Sequence, residues 1–253
     1  TSRVAVLTSA VPAGCSAITG AKAATYTIAL ADVGKYIAPR VTASNASGST
    51  GRTVSSTAVV YQAPANSVLP AITGVLRPSQ ALTVSQGTWA ASPAPAFTYQ
   101  WKLCTSPTVA STCAPISGAT RSTFTVRTTD IGKYFQVAVT AKNTSSTSVS
   151  TAITAQVQSA PSVKSAPIIS GTAKIGSTVT ASAGTWLAIP AATMTYQFFS
   201  CAAQVRAASI TQPTGCTSIS LASSSPALSI STSLKGKFVT VKAIATNVIG
   251  AAS

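Results

Sequence analysis

The chain has 253 residues, with 17 Lys and Arg, no His and a formal charge of +15. Its only acidic residues, Asp32 and Asp130, are far apart in the sequence, which excludes paired-carboxylate hydrolysis, a Ser-His-Asp site and a calcium cage within this segment. No run of about 18 apolar residues free of breakers occurs, so no segment has the pattern of a spanning helix, and no basic-then-apolar leader opens the chain.

The hydrophobic fraction of 46% is inflated by Ala, with Ser, Thr and Gly making up most of the rest. A core is attainable only if each domain is a thin two-layer structure.

Residues 1–62 are the C-terminal half of a repeat. Cys15, Asp32-Val33-Gly34-Lys35-Tyr36 and Asn45 recur 98 positions later as Cys113, Asp130-Ile131-Gly132-Lys133-Tyr134 and Asn143. Pro39 interrupts the strand after Tyr36, where a missing donor predicts a local distortion. Residues 63–69, rich in Pro and small side chains, are expected to form a short linker.

Residues 70–157 have the pattern of a complete domain. Short alternating strands are separated by turn residues every 8 to 12 positions, as in an all-β sandwich. Leu82 and Val84 face one way and Thr83 and Ser85 the other. Tyr99, Trp101 and Leu103 alternate with Gln100 and Lys102, and Phe135, Val137, Val139 and Ala141 with Gln136, Ala138 and Thr140. After Asn143 a Ser/Thr-rich turn precedes a last strand over 151–157. A second linker is expected at 158–166.

Residues 167–253 repeat the pattern. Pro70, Gly74, Gly87-Thr88-Trp89, Pro93, Tyr99-Gln100 and Cys104 recur 97 positions later as Pro167, Gly171, Gly184-Thr185-Trp186, Pro190, Tyr196-Gln197 and Cys201. A period this long makes each copy a whole domain. The sequence ends six residues after Asn247, so this copy is expected to lack its last strand, and the first copy its opening strands. Two explanations are open: the sequence is a segment of a longer array, or neighbouring molecules supply the missing strands.

Spacing suggests that Cys104 with Cys113, and Cys201 with Cys216, each close one hairpin, contributing roughly 3 kcal/mol per bridge by the chain-entropy estimate. Free buried thiols are the alternative; zinc is disfavoured because His and Cys-x-x-Cys are both missing. Strand parity puts Cys104 with Gln100 and Lys102, so the bridge belongs on the outer side or edge of the sheet. Cys15 has no partner within the chain. Disulfides imply an oxidising, extracellular compartment.

Tyr99-Gln100-Trp101, Cys104, Cys113, Ile116-Ser117-Gly118-Ala119-Thr120, Phe124 and Asp130-Ile131-Gly132-Lys133-Tyr134 together resemble the immunoglobulin-like repeats of bacterial, especially actinobacterial, cell-surface proteins. The resemblance covers nearly the whole chain and implies tandem immunoglobulin-like β-sandwiches. By its Asp-x-Gly-x-Tyr element it makes Asp32 and Asp130 turn residues, Tyr36 and Tyr134 corner tyrosines, and Trp101 a core residue. Tyr99, Tyr196 and Phe198 are further core candidates. The last copy departs from the pattern at Leu234, Phe238 and Phe198, which predicts a more loosely specified core.

No catalytic, cofactor-binding or metal-binding residue emerges, and no motif selects a Ser-Lys pair. A Lys–Asn covalent link using Lys133, Asn143 and Asp130 is disfavoured because Asp130 shares a turn with Lys133. Asn45-Ala46-Ser47 and Asn143-Thr144-Ser145 are sequons or ordinary turn residues.

The basic residues are scattered from Arg3 to Arg206, and only Lys235, Lys237 and Lys242 approach a cluster. Without interleaved aromatics that is poor evidence for nucleic acid and better suited to anionic envelope polymers, or to solubility and edge protection. Trp89 and Trp186 recur in one framework position, which favours packing over ligand contact. The leading expectation is a non-enzymatic structural segment of a bacterial surface stalk, surface layer (S-layer) or fibre filament, partnered by further copies of its own repeat. An adhesin or wall-binding module for anionic glycans, and accessory domains of a secreted enzyme or phage particle, are the alternatives.

Overall fold

The computed structural model describes residues 13–205 and 212–253; Arg3 and Arg206 lie outside them. Every regular element among these residues is an antiparallel strand or a three-residue 3-10 turn.

In the first segment a 3-10 turn at Leu30–Asp32 leads to a hairpin of β1 (Arg40–Asn45) and β2 (Gly48–Thr53). β1 begins four residues later than its middle-segment counterpart, which starts at Tyr134 and whose first four residues, Tyr134 to Val137, pair with Cys104 to Trp101 and not with the hairpin strand that follows. Pro39 stands immediately before β1, and its carbonyl accepts the Val54 N–H at 3.1 Å.

The middle segment contains β3 (Gln62–Val68), β4 (Ile72–Gly74), β5 (Ala81–Val84), β6 (Thr88–Ser92), β7 (Ala96–Cys104), β8 (Cys113–Pro115), β9 (Thr123–Thr125), β10 (Tyr134–Lys142) and β11 (Ser146–Ser150). Strands β11-β10-β7-β8 form one sheet, β4-β5-β9 a second, and β3 pairs with β6. Alternation decides which side chains meet between the two larger sheets. Leu82 and Val84 from β5 pack with Trp101 from β7 and with Phe135, Val137 and Val139 from β10. The rings of Trp101, Phe124 and Phe135 form a triad with centroid separations of 5.4, 6.1 and 5.3 Å. The Trp101 indole N–H, which would be costly to bury unpaired, donates to the Arg121 carbonyl at 2.8 Å. Tyr99 packs against the margin of this core.

The last segment repeats the plan with β12 (Ser159–Ser165), β13 (Ile169–Ser170), β14 (Thr178–Ala181), β15 (Thr185–Ile189), β16 (Thr193–Cys201), β17 (Cys216–Ser218), β18 (Ala227–Ser229), β19 (Phe238–Asn247) and β20 (Gly250–Ala252). Its sheets are β17-β16-β19-β20, β13-β14-β18 and the pair β12-β15. Tyr196 and Phe198 are buried with Ala181 and Ala243, while Val179, Ile230 and Leu234 form a neighbouring cluster. Trp186, like Trp89, turns its indole N–H to a nearby carbonyl and serves packing.

Three boundaries differ from expectation. Residues 63–69 and 158–166 are not linkers: β3 pairs with β6 through Asn66↔Trp89, and β12 with β15 through Val163↔Trp186. Small and Pro-containing sequence resembles linker, but here it forms two-stranded ladders with register shifts, where proline is tolerated. The Ser/Thr-rich residues 146–150 form β11, whereas 151–157 form no regular ladder. Instead the N–H groups of Thr151, Thr154 and Val157 reach the carbonyls of Val137, Phe135 and Lys133, each at 2.9 Å. Three residues of one segment therefore span two of the other, which breaks the strand pattern. The last segment carries a short counterpart of β11 in β20, so it is not wholly without a final strand.

Candidate functional site

Asp32 and Asp130 occupy the same position, the third residue of a 3-10 turn that feeds the long strand of the sheet. Asp130 is fully buried. Its Oδ2 accepts the Arg127 backbone N–H at 2.9 Å and Nε–H at 3.0 Å, and its Oδ1 accepts Nη2–H at 2.8 Å. The guanidinium, about half exposed, lies 5.3 Å from the Phe124 ring centre. This bidentate contact pushes the Arg127 guanidinium above its already high ordinary value. Asp32 is also buried, and its Oδ2 accepts the Ala29 N–H and the Tyr26 hydroxyl, both at 2.8 Å. The Ala29 N–H, then the Tyr26 hydroxyl, hold the Asp32 carboxyl below its usual range, and the same contact raises the Tyr26 phenol. In the last segment Leu234 fills the position with a buried apolar side chain.

Both carboxylates are thus engaged by donors of their own turn, which is a structural role. Among the described residues no group of three or more potential metal ligands forms.

Tyr134 is not on the core face. It lies opposite Cys104 in register, while the next residue, Phe135, enters the core, so the tyrosine shares the disulfide's side of the sheet. The corner arrangement carried by the resemblance requires the opposite parity, with the residue two positions beyond the tyrosine facing the core; here that residue is Gln136, which donates to the Thr151 carbonyl. Tyr36 is about half exposed.

Cys104 is bonded to Cys113 and Cys201 to Cys216, each directly across a strand pair. Each bridge ties the edge strand, β8 or β17, to its neighbour. The cysteines of the long strands are nonetheless buried rather than facing outward to water, because Cys104 is flanked in register by Tyr134 and Cys113, and Cys201 by Phe238 and Cys216. In the last segment Phe199 and Val205 join the bridge in a small second cluster on that face. Cys15 is a free, exposed thiol.

A role that sequence reading missed belongs to Asn143 and Asn247. The Asn143 amide donates to the Gln62 carbonyl at 2.8 Å and the Pro93 carbonyl at 3.0 Å, and its Oδ1 accepts the Ser145 N–H at 3.0 Å. Asn247 donates likewise to Ser159 and Pro190 at 2.9 and 2.8 Å. Each amide fastens the turn after the long strand to the start of the segment's first strand. The signal was present as the joint recurrence of Asn143 with Pro93 and Asn247 with Pro190. This use of both amide hydrogens argues against Asn143 as a glycan acceptor. Lys133 and Asn143 also flank opposite ends of β10, roughly 30 Å apart, so they cannot be linked.

The two acids being buried, the described surface displays cationic side chains and no carboxylate side chain. Lys235 and Lys237 are exposed and Lys242 half-buried. Arg121 and Arg127 border an open depression of about 350 Å³ lined also by Ser117 to Thr120 and Thr123 to Thr125. No helix among the described residues is long and apolar enough to cross a membrane. No protein-family model and no curated protein matches the chain.

Proposed function

We propose that the chain is a non-enzymatic structural segment of a bacterial cell-surface or extracellular protein, a string of immunoglobulin-like sandwiches acting as stalk, layer or fibre. The observation that carries this reading is the junction between segments. Val60 still bonds the Lys35 carbonyl of the first segment, and β3 begins two residues later; Val157 bonds Lys133, and β12 begins two residues later. A pulling force entering along one such strand is transmitted directly to the next ladder, without a compliant loop. The hairpin disulfides lock 9 and 15 residues of sequence separation out of extension.

Single-molecule stretching of the 253-residue chain tests this. Cooperative unfolding peaks are expected, lengthened on reduction by roughly 3.5 Å per released residue; smooth low-force extension with no peaks would overturn the mechanical role. Thiol titration of protein taken from its native source tests the compartment. Only Cys15 should react before reduction, and five reactive thiols would remove the extracellular reading.

The carboxylate-free described surface supports a second reading, adhesion to anionic wall polymer. Such binding must fall steeply between about 50 and 500 mM salt; salt-independent or absent binding would sink it.

A further inference from the structure

Around the edge of the smaller sheet the three segments share a framework and differ in two side chains. At a shift of 98, Ile116-Ser117-Gly118-Ala119 answers Ile18-Thr19-Gly20-Ala21, and Thr123-Phe124-Thr125 answers Thr25-Tyr26-Thr27, without a gap. Within that frame Arg121 and Arg127 stand where the first segment has Ala23 and Ala29. In the last segment, counted from Leu228 in place of Phe124, the same positions are Ser225 and Ser231. Both arginines border the open depression of about 350 Å³. The turn does not require them, because the equivalent Asp32 is buried and satisfied by the Ala29 N–H and the Tyr26 hydroxyl without a guanidinium.

Arg127 is fixed from two sides, by Asp130 through Nε–H and Nη2–H and by the Phe124 ring, whose centre lies 5.3 Å from its central carbon. It is still about half exposed, and its Nη1 hydrogens bond no described residue. Arg121 is exposed; its carbonyl holds the Trp101 indole, while its guanidinium has no partner among the described residues. Strand β9 lies between them at the edge of its sheet. The Val84 N–H bonds the Ser122 carbonyl and the Val126 N–H the Gln80 carbonyl, so antiparallel alternation turns the N–H and C=O of Thr123 and Thr125 away from β5. Among the described residues nothing bonds these backbone groups. The depression is therefore bordered by unused N–H donors and hydroxyls, and both oxygens of the adjacent carboxylate are already engaged.

We propose that this depression binds an acidic saccharide unit, a sugar carrying a carboxylate or phosphate group. Arg121 meets the acid group through its planar fork, the fixed Arg127 guanidinium donates to a neighbouring oxygen, and the Thr123 and Thr125 N–H groups donate to sugar hydroxyls. A guanidinium matches two oxygens of a carboxylate or phosphate at once, and one already held in place loses little freedom on binding. Size selects a sugar over a bare anion, since about 350 Å³ falls within the roughly 300–1,000 Å³ of small-ligand sites. An open site also suits a unit within a polymer, whose chain must enter and leave. The inference rests on the second reading above, adhesion to anionic polymer, and gives it one address in the middle segment.

The test follows backbone amide shifts of the 253-residue chain at about 50 mM salt while trigalacturonate, a glycerol phosphate trimer or, as the uncharged control, maltotriose is added. Saturable shifts are expected at Thr123 and Thr125 with at least one acidic ligand, which identifies the acid group, and none at the equivalent Thr27 and Ser229. Arg121→Gln should weaken binding about tenfold, whereas Lys237→Gln, which removes one exposed charge elsewhere, should change it less than about twofold. Equal losses in the two variants, maltotriose binding as tightly, or polygalacturonate binding without shifts at Thr123 and Thr125 would overturn the site and leave diffuse adhesion standing. Failure of both trimers and of polygalacturonate to bind would overturn both.

Discussion

The middle and last segments share one strand plan and fill it differently. In the middle segment, Trp101, Phe124 and Phe135 draw the two sheets into a single core, and the turn before β10 is held by a buried carboxylate forked to Arg127. Equivalent positions in the last segment hold Phe198, Leu228 and Val239, the core divides into two clusters, and Leu234 replaces the ion pair. The plan therefore tolerates either a polar or an apolar key in the turn, provided the residue is satisfied. Ring volume, rather than topology, distinguishes a single core from a divided one.

The comparison can be broken most forcefully at Trp101. Trp101→Ala should destabilise the middle segment by about 3–5 kcal/mol, more than Phe198→Ala destabilises the last, because it removes the hub of the ring triad. Denaturant titration monitored by segment-resolved hydrogen exchange checks this, and equal losses would show that the divided core is no weaker.

Replacing both Cys104 and Cys113 by Ala should cost roughly 3 kcal/mol in the same segment, with the last segment unaffected. Reduction of the wild-type chain should reproduce that loss and add the cost of the Cys201–Cys216 bridge.

Asp130→Ala leaves the Arg127 backbone N–H unpaired and should cost about 1–3 kcal/mol. Grafting the last segment's solution, Asp130→Leu with Arg127→Ser, should recover most of it, since replacing both partners is far cheaper than removing one. A double variant as unstable as the single one would show that the two turns are not interchangeable.

Thr151→Val should cost about 1–2 kcal/mol by orphaning the Val137 N–H, and less than that in a chain already carrying Val137→Pro, where, as in the Pro39–Val54 pair of the first segment, no donor is left to orphan. Urea midpoints in the two backgrounds decide it.

The smallest effect is acid sensitivity of the first segment. Asp32 has a folded pKa below its unfolded value, so the folded state binds fewer protons in acid. The stabilisation is fully present above about pH 4 and is lost as pH falls through the lowered folded value. Tyr26 resonances followed from pH 7 to 2 should move only in that window; in Asp32→Asn the movement should vanish.

Much of this architecture was legible in local pattern. Alternation separated Leu82 and Val84 from Thr83, and Phe135 and Val137 from Gln136, and cysteine spacing named partners that the structure joins. Residues 62–68 could not be read in the same way, because small and proline-containing strands look like linkers until a partner such as Trp89 is known. Residues 151–157 misled for a related reason: Thr and Val at every third position favour extended chain, while the carbonyls they meet step by two.

The sequence by itself determined which side chains alternate, where the copies begin to repeat, and that the chain has almost no acid to spend. Tertiary structure alone decided that Asp130 is buried against its own Arg127, that Tyr134 faces the disulfide rather than the core, and that Asn143 ties Gln62 to Pro93 across 81 and 50 positions. Alternation is a property of one strand, set by its own pleat. Which face meets which partner is a property of register between strands distant in sequence, and it is settled only when the ladders close.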